Sequence, residues 1–114
     1  MSKIILTKSI TINQIKDLAK QRYGDMVKAV IDIEQELIAW GGDMYADEEE
    51  VLLEQGSEQR NLWGFNLYPD LNKDEWLEFD SMINIRPNQN NRSRTIEDPA
   101  IQAKITELVN RMVS

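Results

Sequence analysis

Residues 76–99 read WLEFDSMINIRPNQNNRSRTIEDP, and the reading of this stretch decides the fold. Leu77, Phe79, Ser81, Ile83 and Ile85 alternate with Trp76, Glu78, Asp80, Met82, Asn84 and Arg86. A period of two predicts a strand, half buried in a sheet. The first set is mostly apolar and is expected to face the core. The second carries Asp80, Asn84 and Arg86 outward. Pro87 cannot donate a ladder hydrogen bond and ends the strand. Asn88 to Thr95 has no apolar residue and is rich in amides, so it reads as a loop. Asp98 then suits a helix N-cap, with Pro99 at the first helical position, where a missing N–H costs nothing.

The helix that follows is expected from Pro99 to about Val113. Ile101, Ile105, Leu108, Val109 and Met112 form its apolar stripe. On the N-terminal side of the stretch, Leu62 to Tyr68 predicts a strand with Trp63, Phe65 and Leu67 on one face. Gly64, Asn66 and Tyr68 take the other. The turn-forming run Pro69 to Asp74 joins it to the Trp76 strand, so the two are expected to pair as an antiparallel hairpin.

Earlier in the chain, Lys3 to Thr7 predicts a short strand. Thr11 with Gln14 makes a capping box, and Ile10 with Ile15 a hydrophobic staple, so a helix starts there. Its buried stripe is Ile15, Leu18, Ala19 and Tyr23, and Gly24 stops it. Val27 to Glu34 and Glu36 to Gly41 predict two strands in a hairpin, although a helical period competes over the first. Gly41-Gly42 permits a turn or bulge. Asp47 is expected to cap a short helix whose first turn holds Glu48, Glu49 and Glu50. A strand through Val51 to Leu53 is the alternative there. Gly56 closes the unit. The order of elements predicts one α+β domain over residues 1–114. It has an antiparallel sheet of four to five strands, with helices packed on one face.

The bulk numbers narrow the function classes. A chain of 114 residues, 41% hydrophobic, has room for one core. Its 13 Lys and Arg against 20 Asp and Glu give a net charge of −7. That speaks against a nucleic-acid binder, which needs a broad basic face, and against an anionic membrane surface. No apolar run is long enough for a membrane span, and the first residues are too short for a signal peptide. A cytoplasmic protein is the expectation. The sequence has no Cys and no His. Disulfides, thiolate nucleophiles, Cys/His zinc sites and Ser-His-Asp mechanisms are therefore excluded. No cofactor is implied, and a binding protein is expected rather than an enzyme.

Several segments together resemble a known family. They are Gly24 to Val30, Ala46 to Glu49, Leu53 to Ser57, Leu62 to Asn66, Glu78 to Pro87, Asn91 to Arg94 and Glu97 to Pro99. The family consists of short prokaryotic proteins classed as a domain of unknown function, and the likeness covers nearly the whole chain. The resemblance implies a small stand-alone protein and carries no catalytic residue or cofactor.

Three constellations could bear function. Between Ser81 and Ile96 there are three Arg and no acid. Arg86, Arg92 and Arg94 offer planar forks for phosphate or carboxylate, and Asn84, Asn88, Gln89 and Asn91 add donors. The loop's own N–H groups can form an anion nest. The alternative is that these arginines pair with the protein's own carboxylates. Between Lys28 and Arg60 lie ten carboxylates and no base. This block matches no calcium-loop pattern and reads first as a solvated helix start. Third, the outward sheet face collects Asp32, Glu34, Asn66, Tyr68, Asp80, Asn84 and Arg86. Met82 and Trp76 make part of it apolar, as a partner surface would be. Trp40, Trp63 and Trp76 read as core or interface anchors.

The leading expectation is a binding module for an anionic group, on a small molecule or a partner protein. Its site would comprise Arg86, Arg92, Arg94, Asn84, Asp80, Asn66 and Tyr68. The runner-up is a homo-oligomer in which the arginine loop pairs with the acidic 43–58 block. A metal-assisted hydrolase using Asp47, Glu50 and Asp80 is a distant third.

Overall fold

Capping and alternation place most of the elements. The computed structural model describes residues 4–114. Strand β1 is Ile5–Thr7; of the expected first strand, Lys3 lies outside the described residues. Helix α1, Ile12–Gln21, starts at the Thr11–Gln14 capping box. The Gln14 N–H donates to Thr11 Oγ1 at 3.1 Å, and the Thr11 N–H to Gln14 Oε1 at 3.0 Å. Gly24 ends the turn beyond α1 with φ +87°, a conformation that favours glycine. Its N–H donates to the Ala19 carbonyl. Tyr23, expected in the buried stripe, is exposed.

Strands β2 (Val27–Asp32) and β3 (Leu37–Trp40) form the expected hairpin. Asp32 closes its turn, accepting the N–H groups of Glu34 and Gln35 on Oδ1. Helix α2 is Tyr45–Glu54. It starts two residues before the expected cap. Asp47 sits inside the first turn and accepts the Met44 N–H on its carboxylate. Strand β4 is Leu62–Leu67, and helix α3 is Pro99–Met112. Asp98 caps α3 as expected, accepting the Ala100 N–H at 2.8 Å.

The Trp76–Arg86 stretch departs from expectation. Its strand, β5, is only Leu77–Glu78, paired antiparallel with Asn66 and Leu67 of β4. The chain then bends at Asp80–Ser81 into a 3₁₀ turn over Met82–Asn84. The alternation breaks with it. Trp76, Asn84 and Arg86, assigned outward, are buried, whereas Ile85, assigned inward, is exposed. The cause lies in β4. Gly64 has no side chain on this face, and Ser81 fills the gap. A Cβ on Gly64 would stand 2.5 Å from Ser81 Oγ and 2.6 Å from Ser81 Cβ. The chain gains more by folding over β4 at the glycine than by running on along its edge.

Among the described residues the result is a five-stranded antiparallel sheet, ordered β1-β3-β2-β4-β5, with three α-helices: an α+β fold. The described residues have a radius of gyration of 12.8 Å. The expectation of helices on one face needs correction, because the sheet is covered on both. Ala29, Ile31, Ile38, Trp40, Trp63, Phe65 and Leu67 pack with Ile15 and Leu18 of α1 and with Ile105, Leu108 and Val109 of α3. Trp40 and Phe65 meet edge to face there, with centroids 5.7 Å apart. On the opposite face Val30, Ala39 and Leu62 pack with Tyr45 and Leu52 of α2 and with Ile83. That second, smaller layer turns the expected open face into a partly covered one.

Candidate functional site

Once β5 ends, β4 is left with unpaired edge groups at Gly64 and Leu62, and the amide-rich loop satisfies them. The Gly64 N–H donates to Asn84 Oδ1 at 2.8 Å, and Asn84 Nδ2 donates to the Gly64 carbonyl at 3.0 Å. The carboxamide thus stands where the next strand residue would pair. Arg86 continues the seal. Its two terminal nitrogens donate to the carbonyls of Leu62 and Gln59. Its guanidinium lies over the Trp63 ring, 4.2 Å from the centroid. Arg86 is 8% exposed. Burial pulls its pKa down, and the Glu49 carboxylate partly opposes this. Arg86 and Asn84, expected at an anion site, therefore face the protein's own backbone.

The loop also forms a nest of N–H groups, and its own chain occupies it. The Glu97 carboxylate accepts the N–H groups of Arg92 and Ser93, each at 2.9 Å, and the Ser93 hydroxyl at 2.8 Å. These donors, Ser93 first, hold the Glu97 pKa below the usual carboxylate range. Buried Asn91 organises the rest. Its Nδ2 donates to the carbonyls of Asn84, Ser93 and Thr95, and its Oδ1 accepts the Glu97 N–H. Arg92 is exposed on the outside of the loop. Asn88 is exposed, and the Gln89 side chain donates to the Arg60 carbonyl.

Arg94 takes a different course. Its Nε donates to Asp80 at 2.8 Å, and Arg94 borders a hollow of about 240 Å³ between the start of α2 and the Met82–Asn84 turn. Lys28, Met44, Tyr45, Ala46, Met82 and Ile83 complete the lining. Lys28 projects from β2 on the face that α2 covers. Its ammonium sits between two aromatic rings, 4.9 Å from the Tyr23 centroid and 4.7 Å from that of Tyr45. Met44 and Met82 are 61% and 62% exposed and form the apolar rim. From Tyr45 a polar chain of hydrogen bonds leads away from the hollow's lining. The Tyr45 hydroxyl donates to Asn66 Oδ1 and lies 3.0 Å from the Asp80 carbonyl oxygen. Asn66 Nδ2 donates to Glu78 at 2.7 Å, and the Tyr68 hydroxyl donates to the same Glu78 oxygen. Burial above all keeps the Tyr45 and Tyr68 phenols protonated, with pKa values pushed up.

Of the residues singled out by sequence, Arg94 lines this hollow; Asp80 pairs with Arg94, and Asn66 and Tyr68 belong to the hydrogen-bonded chain that starts at Tyr45. Asn84 and Arg86 do not join them, and Arg92 stands on the outer loop. Sequence reasoning missed Lys28, Met44 and Tyr45. The available signal was Lys28 itself, the one cation in β2, flanked by Val27, Ala29 and Val30. Of the acidic face, Asp32 is buried in its turn.

The acidic block is not uniformly solvated. Glu48, in the first half of α2, is 0% exposed, and neither carboxyl oxygen has a hydrogen-bond partner. Burial pushes its pKa well up, with Lys28 opposing. Among the described residues no group of three or more Asp or Glu is disposed to hold a metal ion, so Asp47, Glu50 and Asp80 do not form a metal site. Nor does any described helix have the length and apolarity to cross a membrane.

No curated protein and no solved structure gives a significant match to the chain. A family model does match, over residues 4–112, under the description "Protein of unknown function (DUF5674)". That span takes in β1, the seal at the β4 edge, the hollow and all of α3, and the chain belongs to this family.

Proposed function

We propose that the protein binds a small anion carried on an apolar body, in the hollow between α2 and the Met82–Asn84 turn. One observation carries this reading. In a chain of net charge −7, two cations from distant segments, Lys28 and Arg94, border the same hollow, beside two exposed methionines. An exposed thioether rim accepts irregular apolar groups. An ammonium and a planar guanidinium accept a carboxylate, sulfonate or phosphate head. The hollow is small, so the ligand is of metabolite rather than polymer size.

The test compares three probes in thermal melting. Hexanesulfonate has both head and tail, sulfate only the charge, and hexanol only the tail. Hexanesulfonate at tenfold its Kd is expected to add about 1.4 kcal/mol, several degrees for a domain of this size. Sulfate and hexanol at the same concentration should add much less. Lys28→Met and Arg94→Gln should each weaken the hexanesulfonate shift. Equal shifts from all three probes, or full shifts in both variants, would sink the reading.

A further inference from the structure

Glu48 has no evident role in the fold. A buried carboxyl with no hydrogen-bond partner is costly, and Gln or Leu would fill the same space at less cost. Its surroundings show what it can sense. The Lys28 ammonium, from β2, stands 4.7 Å from the ring of Tyr45, which lies three residues before Glu48 on the same side of α2, and Asp47 adjoins Glu48 in the chain. β3 presents Leu37 and Ala39 to this layer, and the turn after β5 presents Ile83, none of them charged. Gly42 lies against the carboxyl so closely that a Cβ there would stand 2.9 Å from Glu48 Oε1. Its backbone favours the ionised form, but outside hydrogen-bond geometry. Lys28 is thus the cation that an ionised Glu48 would depend on, and it is also a wall of the hollow.

We infer that an anion seated at Lys28 is taken up together with a proton on Glu48. This rests on the anion-binding reading above and deepens it to the regulation of that site. The reasoning is electrostatic. One ammonium cannot fully compensate a buried carboxylate behind it and a ligand anion in front of it. With the ligand bound, Lys28 is shared and Glu48 stays neutral. With Glu48 ionised, a negative charge stands behind the hollow and the anion is repelled. By linkage, each event favours the other equally. The sign follows. Ligand raises the proton affinity of Glu48, so affinity for the anion is full at low pH. It falls as pH rises through the Glu48 titration in the free protein. The burial that pushes this carboxyl up moves the fall toward neutral pH.

The probe for the test is hexanesulfonate, whose charge does not change over the range. Its Kd is measured by calorimetry on the whole chain from about pH 5 to about pH 8. The expected result is a weakening of about fivefold or more, with Glu48→Gln binding at the tight level throughout. A second arm needs no ligand and no altered Glu48. The carbon resonance of the Glu48 carboxyl is titrated in the wild-type protein and in Lys28→Met, where its midpoint should rise. Affinity independent of pH, or a slope that survives in Glu48→Gln, overturns the linkage and leaves the anion site standing. A Glu48 midpoint unmoved by Lys28→Met also overturns it. A probe that binds at no pH removes both the site and the linkage.

Discussion

At the scale of single residues, the polar loop serves the backbone first. Arg86 answers two carbonyls and stacks on an indole, and Asn84 answers both backbone groups of Gly64. Arg86→Ala leaves the Leu62 and Gln59 carbonyls without these donors and strips the cover from Trp63. We expect a loss of about 3 kcal/mol in urea unfolding. Arg86→Lys should recover little of it, because an ammonium cannot reproduce a planar fork over a ring. A lysine variant as stable as wild type would show that charge alone matters there. Glu97 follows the same logic with the opposite sign. Its carboxylate fills the loop's nest, so the anion this loop can hold is already part of the chain. The contribution of that contact is present above the unfolded pKa of a glutamate. It is lost as pH falls through the lowered folded value.

At the scale of elements, the decisive event is that β5 stops after two residues. An edge strand that ran on would expose a row of unpaired groups and invite pairing with another chain. Here side chains close that row, and the chain crosses onto the α2 face at Gly64. Gly64→Ala tests the arrangement. Its Cβ would meet Ser81 at 2.6 Å or less, and Ser81 is short and buried, so the turn must move. The expected cost is about 1–3 kcal/mol, with faster amide exchange at Ile83 and Asn84 than in β2. A variant of wild-type stability and exchange would mean that the turn does not rest on the glycine. The same crossing sets Met82 and Arg94 beside Lys28, so the geometry of the hollow depends on it.

At the scale of the molecule, the sheet is covered on both faces, and the thinner α2 layer holds the buried carboxyl. Glu48 gives the whole fold a pH response. Its folded pKa lies above the unfolded value of about 4.3, so its neutral form suits the fold at low pH. Stability is then lost as pH rises through the folded value. Glu48→Gln should match wild type under acid conditions and exceed it at about pH 8 in urea unfolding. The difference between the two isolates Glu48 from Glu97 and Glu36, whose lowered pKa values act in the opposite direction. Parallel stability curves would place the Glu48 titration in the ordinary range. The sequence by itself determined what local physics controls. The caps at Thr11 and Asp98 set two helix starts. The hairpins follow from short turns between alternating runs, and the apolar stripes of α1 and α3 follow from the helical period. The family was legible too, since its segments are spread along the chain. Only the tertiary structure decided which face α2 covers, because two runs of β2 and β4 are buried on both sides and alternation no longer tells one face from the other. It also decided that the best-patterned strand would break. Local alternation at Trp76–Arg86 competed with an empty glycine face and an unpaired edge on β4, and those two features are supplied by a different part of the chain. Lys28 and Arg94 border one hollow for the same reason: their placement is set by packing, which no local period encodes.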